Sequence, residues 1–195
     1  MSEPLVLRDD DPRVAGLLAD GWSVRHRSWG ARLTNPDAAA LEALTSVDGY
    51  RIAETATADP AIAALDATVR VDYPGGPATA PQVHDVAALA RLRAGGTRFF
   101  AAFGRAGDLV AVTAIRRDGE HAETDFTAVA RPHRRRGLAE AVKAASVLAL
   151  SREGAQVFGT GGAEENAASL AMNARLGYVV TERWLTLVDD RPSDS

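Results

Sequence analysis

Thr127-Ala-Val-Ala-Arg131-Pro-His133-Arg134-Arg135-Arg136-Gly137-Leu138-Ala139 is the stretch on which the reading of this chain turns. Its first residues close a run from His121 to Ala130 that predicts a strand. From Gly137 onward, apolar residues fall at Leu138, Ala141, Val142, Ala145, Leu148 and Ala149, the spacing of one helix face, and Gly154 stops that helix. Strand, turn and helix therefore follow one another. The first N–H groups of a helix lack partners within it, and the helix dipole is positive at that end, so the turn suits a phosphate. Gly137 and the small Ala139 let a bulky pyrophosphate approach the backbone. Arg131, His133, Arg134, Arg135 and Arg136 add basic side chains at the same end.

The flanking segments extend this pattern in both directions. Towards the C-terminus, Gln156–Thr160 predicts a strand, Asn166–Leu176 a helix closed by Gly177, and Tyr178–Val188 one or two final strands. Towards the N-terminus, Asp118-Gly119 is the strongest two-residue hairpin signal and joins Leu109–Arg116 to His121–Ala130. Arg98–Phe103 precedes that pair. Gln82–Arg93 reads as a helix stopped by Gly95-Gly96, and Tyr73–Pro81 as a loop rich in proline and glycine. Asp59-Pro60 opens a helix carrying Ile62, Leu65, Val69 and Val71, and Tyr50–Ala56 is a strand. From Gly49 the order is β-α-α-β-β-β-α-β-α-β, an antiparallel meander feeding a βαβ unit. The fold class is α/β with a mixed sheet.

Residues 1–47 read as a helix–strand extension, 48–188 as the main domain, and 189–195 as a polar tail expected to fray. In the extension, Asp11 and Pro12 start a helix at Pro12–Ala19, Trp22–Trp29 alternates like a strand with a bend at Gly30, and Asn35-Pro36-Asp37 is a turn. Leu17-Leu-Ala-Asp-Gly21-Trp22-Ser-Val24 echoes Asn173-Ala-Arg-Leu-Gly177-Tyr178-Val-Val180. Helix, glycine, aromatic and strand in that order are common punctuation, so the echo is read as chance in preference to a second copy.

Composition narrows the function. The chain has 195 residues, 46% hydrophobic and 25% charged, which excludes global disorder and suits one domain plus an extension. The net charge of −4 argues against a nucleic-acid-coating protein, so the arginine cluster is not read as a nucleic-acid site. Cysteine is absent, which excludes disulfides and thiolate chemistry of the chain itself. No apolar run approaches the roughly 20 residues of a membrane helix, and the acidic N-terminus lacks signal-peptide character, so a cytoplasmic protein with no membrane partner and no metal is expected. Of 22 basic residues only Lys143 is a lysine, and alanine numbers 39, a bias assigned to genome base composition.

The pattern Arg/Gln-x-x-Gly-x-Gly/Ala at Arg134–Ala139 is short, expected by chance about 0.5 times in such a chain, and gains its meaning from the strand–turn–helix around it. In that context the segment resembles the acyl-CoA-binding motif of the GNAT acetyltransferase superfamily. Asn166-Ala-Ala-Ser169-Leu-Ala-Met-Asn173-Ala-Arg-Leu176-Gly177-Tyr178 resembles the last helix of that family and its Leu-Gly-aromatic ending. The element order from Gly49 to Val188 agrees, while residues 1–47 stay outside the resemblance. The resemblance implies acetyl-CoA, or another acyl-CoA, as co-substrate and a splay between two central strands. Main-chain bonds to the pantetheine arm would come from around Val129. The pyrophosphate would be held by Arg131, Arg134, Arg135, Arg136, Gly137, Leu138 and Ala139, with further cofactor contacts from Asn166 and Asn173. Asn166 also suits a helix N-cap.

The chemistry of acyl transfer to an amine calls for a base to take the amine proton. Glu123 and Asp125 are the catalytic candidates. Their period-2 spacing places them on one strand face with Thr127 and Val129, where each carboxylate would raise the pKa of the other. His121 is a fallback. Many family members carry a tyrosine acid seven residues after the asparagine, where this chain has Asn173, which cannot give up a proton. Tyr73, Ser169, Tyr178 and solvent remain as sources, and a non-catalytic acyl-CoA-binding module is the alternative. The acceptor, a primary amine of a small molecule, is assigned to Tyr73, the loop after it and His84, with Asp72 and Asp85 as anchors for a cation. Trp22, Trp29 and Trp184 are read as core or interface residues. A homodimer through the extension or the last strands is left open.

Overall fold

The computed structural model describes residues 3–56, 59–72 and 83–191. The extension comprises β1 (Leu5–Arg8), α1 (Arg13–Ala19), β2 (Trp22–Thr34) and α2 (Ala38–Leu44). The main domain comprises β3 (Arg51–Glu54), α3 (Asp59–Val69), α4 (Val86–Ala94), β4 (Thr97–Phe103), β5 (Leu109–Asp118), β6 (His121–Val129), α5 (Leu138–Arg152), β7 (Val157–Ala163), α6 (Ala167–Arg175) and β8 (Val179–Asp189). From β3 onward this is the order read from the sequence. Strands β3 to β6 form the antiparallel meander, and α5 crosses over so that β7 runs parallel to β6.

All eight strands join one sheet in the order β1-β8-β2-β7-β6-β5-β4-β3. Its two faces are covered separately, as the alternation along β4 requires. Phe100 packs with Ile115, Phe158 and the buried face of α5. Phe99 packs with Val112, Ala114 and the α3 residues Ile62, Leu65 and Val69. The predicted loop at Tyr73–Pro81 lies outside the described residues, as does Gln82. The second predicted helix begins only at Val86, because the Asp85 carboxylate accepts the Ala88 N–H at 2.7 Å and caps it there. Helix α2 was not read from the sequence. Asp37, assigned only to a turn, also caps it by accepting the Ala40 N–H at 3.1 Å.

The extension is built into the sheet. Strand β2 pairs antiparallel with β7 on one side and β8 on the other. It does not end at Gly30 but continues to Thr34 with an irregularity between Gly30 and Ala31. Trp29 is 2% exposed, and its indole Nε1 donates to the Ala163 carbonyl at 3.2 Å. Its ring fills the space over Gly162, where a Cβ would come within 2.8 Å of Cζ2. That position on β7 therefore requires glycine.

The echo between the two ends of the chain is structural, contrary to the reading as chance. Gly21 and Gly177 both take left-handed backbones, at φ +90° and +91°, between a helix and a strand. Placing one glycine on the other carries the β2–β8 ladder onto itself. Ser23↔Val188 corresponds to Arg32↔Val179, Val24↔Leu187 to Ala31↔Val180, His26↔Thr186 to Gly30↔Glu182, and Arg27↔Leu185 to Trp29↔Arg183. The two bulges correspond as well: one lies between Val24 and His26, the other opposite Gly30 and Ala31. Beside this ladder β1 pairs with β8 as β7 pairs with β2. The Asp9 N–H meets the Arg183 carbonyl, and the Glu164 N–H meets the Arg27 carbonyl. Common punctuation demands no agreement of bulges. The unit β1–α1–β2 thus repeats the arrangement of β7–α6–β8 about an approximate twofold axis.

Replacing Trp29 by alanine removes the largest side chain that β2 buries. An unfolding free energy lower by about 3–5 kcal/mol is expected in urea titrations. A loss under about 1 kcal/mol would mean that β2 is not part of the core.

Candidate active site

The parallel ladder between β6 and β7 consists of only three pairs, His121↔Val157, Ala122↔Phe158 and Glu123↔Gly159. Beyond Gly159, β7 stays on β2 as far as Ser28↔Ala163. Beyond Glu123, β6 stays on β5 as far as Ala111↔Val129. Each strand keeps its outer partner, so the two inner edges part and open a cavity of about 1010 Å³. Thr124 to Thr127 and Val129 line one wall, Thr160 to Ala163 the other, and Gly137, Leu138 and Ala139 one end.

That end is the turn singled out in the sequence. After a 3-10 turn at Arg131–His133, Arg135 (φ +60°) and Gly137 (φ +78°) both take left-handed backbones and swing the chain into α5. Ala141 is the residue whose N–H bonds back to the Gly137 carbonyl, so the amides of Leu138, Ala139 and Glu140 have no acceptor within the helix. A Cβ on Gly137 would meet nothing within 4 Å. The turn is an open amide cradle at a positive helix end, which fits a diphosphate.

Its basic side chains are not equivalent. Asp72, after α3, accepts from Arg131 and from Arg134, the latter at 2.6 Å. The Arg131 guanidinium, then that of Arg134, holds the Asp72 carboxyl well below the usual carboxylate range. Arg134 Nε also donates to the Val129 carbonyl at 3.1 Å, so a main-chain acceptor expected to serve the cofactor carries an internal bond here. His133 Nδ1 shares a hydrogen bond with the Tyr50 hydroxyl at 2.9 Å. Arg134 and Arg135 line the cavity, whereas Arg131 and Arg136 are exposed outside its lining.

The expectation that Glu123 and Asp125 share a face with Thr127 and Val129 is corrected by a bulge. Ala114 pairs with Phe126 and Ile115 with Thr124, which leaves Asp125 as the extra residue and breaks the period of 2. Ala122 accordingly packs on the α5 face, and Phe126 and Ala128 on the α3 face. Glu123 lies outside the large cavity. Its carboxylate accepts from Arg32 Nη1 of β2 at 2.9 Å across Gly159, where any Cβ would overlap both groups. With His121 it borders a separate hollow of about 210 Å³. Asp125 lines the large cavity, and burial raises its pKa.

His84 lines the same wall and brings a partner that sequence reasoning missed. Its Nδ1 lies 3.2 Å from Asp66 Oδ1, its backbone N–H donates to Asp66 Oδ2, and its ring stacks on Phe126 at 4.1 Å. Both side chains are buried, and Arg70 also donates to Asp66, at 2.6 Å. Asp66 sits on the apolar face of α3 beside Ile62, Leu65 and Val69, where a carboxylate interrupts the helical stripe. That interruption was the available signal. Tyr73 lies outside the described residues, and Asp85 serves as the cap of α4.

Lys143 is the second omission. Midway along α5 it is 1% exposed, and its Nζ donates to Thr160 Oγ1 at 3.0 Å and to Asn173 Oδ1 at 2.7 Å. Nζ also lies 4.8 Å from the centre of the Tyr178 ring. Asn173 in turn donates to the Ser169 carbonyl at 2.9 Å, and Asn166 caps α6 through the Ser169 N–H at 3.1 Å. All five residues other than Tyr178 line the cavity. Burial pushes the Lys143 pKa down to about 7 against the opposing pull of Glu123, and burial pushes the Tyr178 hydroxyl up. Among the described residues no cluster of His, Cys, Asp or Glu is placed to hold a metal, and no helix is long and apolar enough to cross a membrane.

The model of the acetyltransferase (GNAT) family fits residues 63–178, and the chain belongs to that family. A tandem GNAT protein from the clavulanic acid biosynthesis pathway, solved without AcCoA, superposes with a TM-score of 0.67 at 22% identity, over 98% of this chain and 64% of that one. A GCN5-related N-acetyltransferase from Sphaerobacter thermophilus gives a TM-score of 0.70 at 14% identity, over 97% and 61%. One from Kribbella flavida gives 0.61 at 18% identity, over 97% and 68%. The chain thus spans under two thirds of the first two structures, and the likeness is one of fold. No curated protein matches the chain.

The lowered pKa of Lys143 sets a pH dependence of stability. The folded state releases this proton near pH 7 and the unfolded chain near 10.5, so between those values the unfolded state binds more protons and stability rises with pH. Urea unfolding from pH 7 to 10 is expected to show this rise in the parent protein and a flatter profile in Lys143→Met.

Proposed function

We propose that this protein is an acetyl-CoA-dependent N-acetyltransferase acting on a primary amine of a small molecule. The observation that carries the reading is the opening between β6 and β7, which ends on the amide cradle at Gly137. Acetyl-CoA would supply an activated acyl group on a thioester. The amides of Leu138 and Ala139 would hold its diphosphate, assisted by Arg134, Arg135 and, from the exposed surface, Arg131 and Arg136. Beyond Glu123 the inner edge of β6 has left the β7 ladder and lines the cavity, where an extended arm would lie along it as an added strand lies along a sheet edge. Asn166 is spent on the α6 cap through its side-chain oxygen, and any cofactor contact falls to its remaining amide.

The acceptor side is the wall formed by Asp125, Phe126 and His84. Asp66 holds the Nδ1 side of the imidazole, which leaves His84 Nε2 to take the proton of the attacking amine. Asp125 lies in the same wall and draws a protonated amine in before that proton is lost. Glu123, fixed by Arg32 at the closed end of the split, supports the apex in place of the base role expected of it.

Gly137→Asp is expected to fold, since its side chain meets open space and Asp tolerates a left-handed backbone better than most residues. Titration calorimetry should show CoA affinity reduced about 100-fold or more by the charge conflict with the diphosphate. Unchanged affinity removes the cradle assignment.

With acetyl-CoA and a panel of primary amines, thiol release should be detectable for the parent protein. His84→Gln should lower kcat about 100-fold or more and leave the KM for acetyl-CoA near its parent value. A parent protein that binds acetyl-CoA yet acetylates no amine would support a binding module instead.

A further inference from the structure

We propose that Lys143 and Thr160 form a proton-delivery pair at the apex of the split, which protonates the departing thiolate in a role that Asn173 cannot perform. The inference rests on the acyltransferase reading above. Thr160 is the first residue of β7 past the last ladder pair, Glu123↔Gly159, so its side chain stands where the cavity begins. Its hydroxyl oxygen accepts from Lys143 Nζ at 3.0 Å, which leaves the Thr160 O–H to donate into the cavity. Asn173 Oδ1 fixes the ammonium from the far side at 2.7 Å, and the Asn173 amide is itself held by the Ser169 carbonyl. Among the described residues, Glu123 of β6 acts on Lys143 through its charge from outside the cavity, and the ring of Tyr178, beyond α6, lies against the ammonium. The flanking side chains from β7 and α6, Thr160 and Asn173, are neutral. The negative charge of Glu123 favours the ammonium, while burial makes it ready to give up a proton near neutrality.

The step balances without another reagent. As the new C–N bond forms, the C–S bond breaks and its electron pair passes to sulfur. The Thr160 O–H proton passes to sulfur, and an Nζ proton replaces it on Oγ1. The products are the amide, the CoA thiol and a neutral Lys143 amine. The proton removed from the acceptor amine, held on His84 Nε2, returns to Lys143 through solvent.

The test uses free CoA, so it needs no knowledge of the acceptor. The thiolate of CoA bound to the parent protein, followed by its ultraviolet absorbance against pH, is expected to form about one pH unit or more below that of free CoA. Lys143→Met and the near-isosteric Thr160→Val should return it to the free value while calorimetry still shows CoA bound. Because Lys143 is the only lysine in the chain, a protein labelled with 13C at lysine Cε gives one titrating resonance. Its midpoint should move upward when CoA binds. In turnover, both variants should lose activity with acetyl-CoA and recover most of it with an acetyl thioester of an acidic aryl thiol, whose thiolate needs no proton. An equal loss with both donors would assign Lys143 to positioning alone and overturn the proposal. An unchanged thiol titration in variants that bind CoA, or an acetyl group found on Lys143 by mass spectrometry, would also overturn it. Failure of the parent protein to bind CoA at all would sink the acyltransferase reading, and this inference with it.

Discussion

The separation of β6 from β7 after a three-pair ladder is the constraint on which the rest of the molecule depends. Backbone N–H and C=O groups removed from water must find partners, so two central strands rarely part. Here they can because each is paired on its other side: β6 with β5 to its end, and β7 with β2. The two inner edges, off the ladder with each other, face the cavity. The bulge at Asp125 falls just past the last ladder pair, where β6 leaves β7, and bulges sharpen the local twist of a strand. Below the opening, the Arg32–Glu123 ion pair crosses Gly159 and ties three strands together. At 41% and 53% side-chain exposure such a pair contributes little stability, but it marks where the ladder stops.

The extension is therefore a condition of the site as well as an appendage to it. Without β2, the part of β7 beyond Gly159 would be unpaired on both sides, and β8 would lose its inner neighbour. The twofold relation between β1–α1–β2 and β7–α6–β8 explains how one strand satisfies both. A ladder between two copies of the same element is self-complementary, so β2 offers β8 the register that β8 offers β2. Trp29 fixes β2 against β7 because Gly162 carries no side chain beneath its ring.

How much of this the sequence disclosed follows from the range over which each signal acts. The order of elements from β3 to β8 was legible because hydrophobic period, proline and glycine act locally. The cradle was legible because strand, glycine and helix lie within one short segment. The place of β2 was not, since pairing over more than 120 residues leaves no local mark beyond the echo around Gly21 and Gly177. The bulge at Asp125 was not either: alternation in His121–Val129 is the same with or without a slip, and the slip alone sends Glu123 to Arg32 and leaves Asp125 in the cavity. His84 was found as a single residue, but its meaning depends on Asp66, which only the packing of α3 against the segment before α4 brings to it.

Lys143 shows a different kind of legibility. Arginine is the basic residue everywhere else in this chain, so the one lysine is the exception that requires a reason. Arginine holds its proton at any pH a protein meets, and its planar fork demands several acceptors. The chamber between α5, β7 and α6 supplies two, Thr160 and Asn173, and an aromatic face. A guanidinium there would be permanently charged and short of partners, at a cost of several kcal/mol in so buried a place. An ammonium suits two acceptors and a ring, and it can be neutral when charge is unwelcome. The one lysine thus stands at a buried position, where the ability to exchange a proton distinguishes it from an arginine.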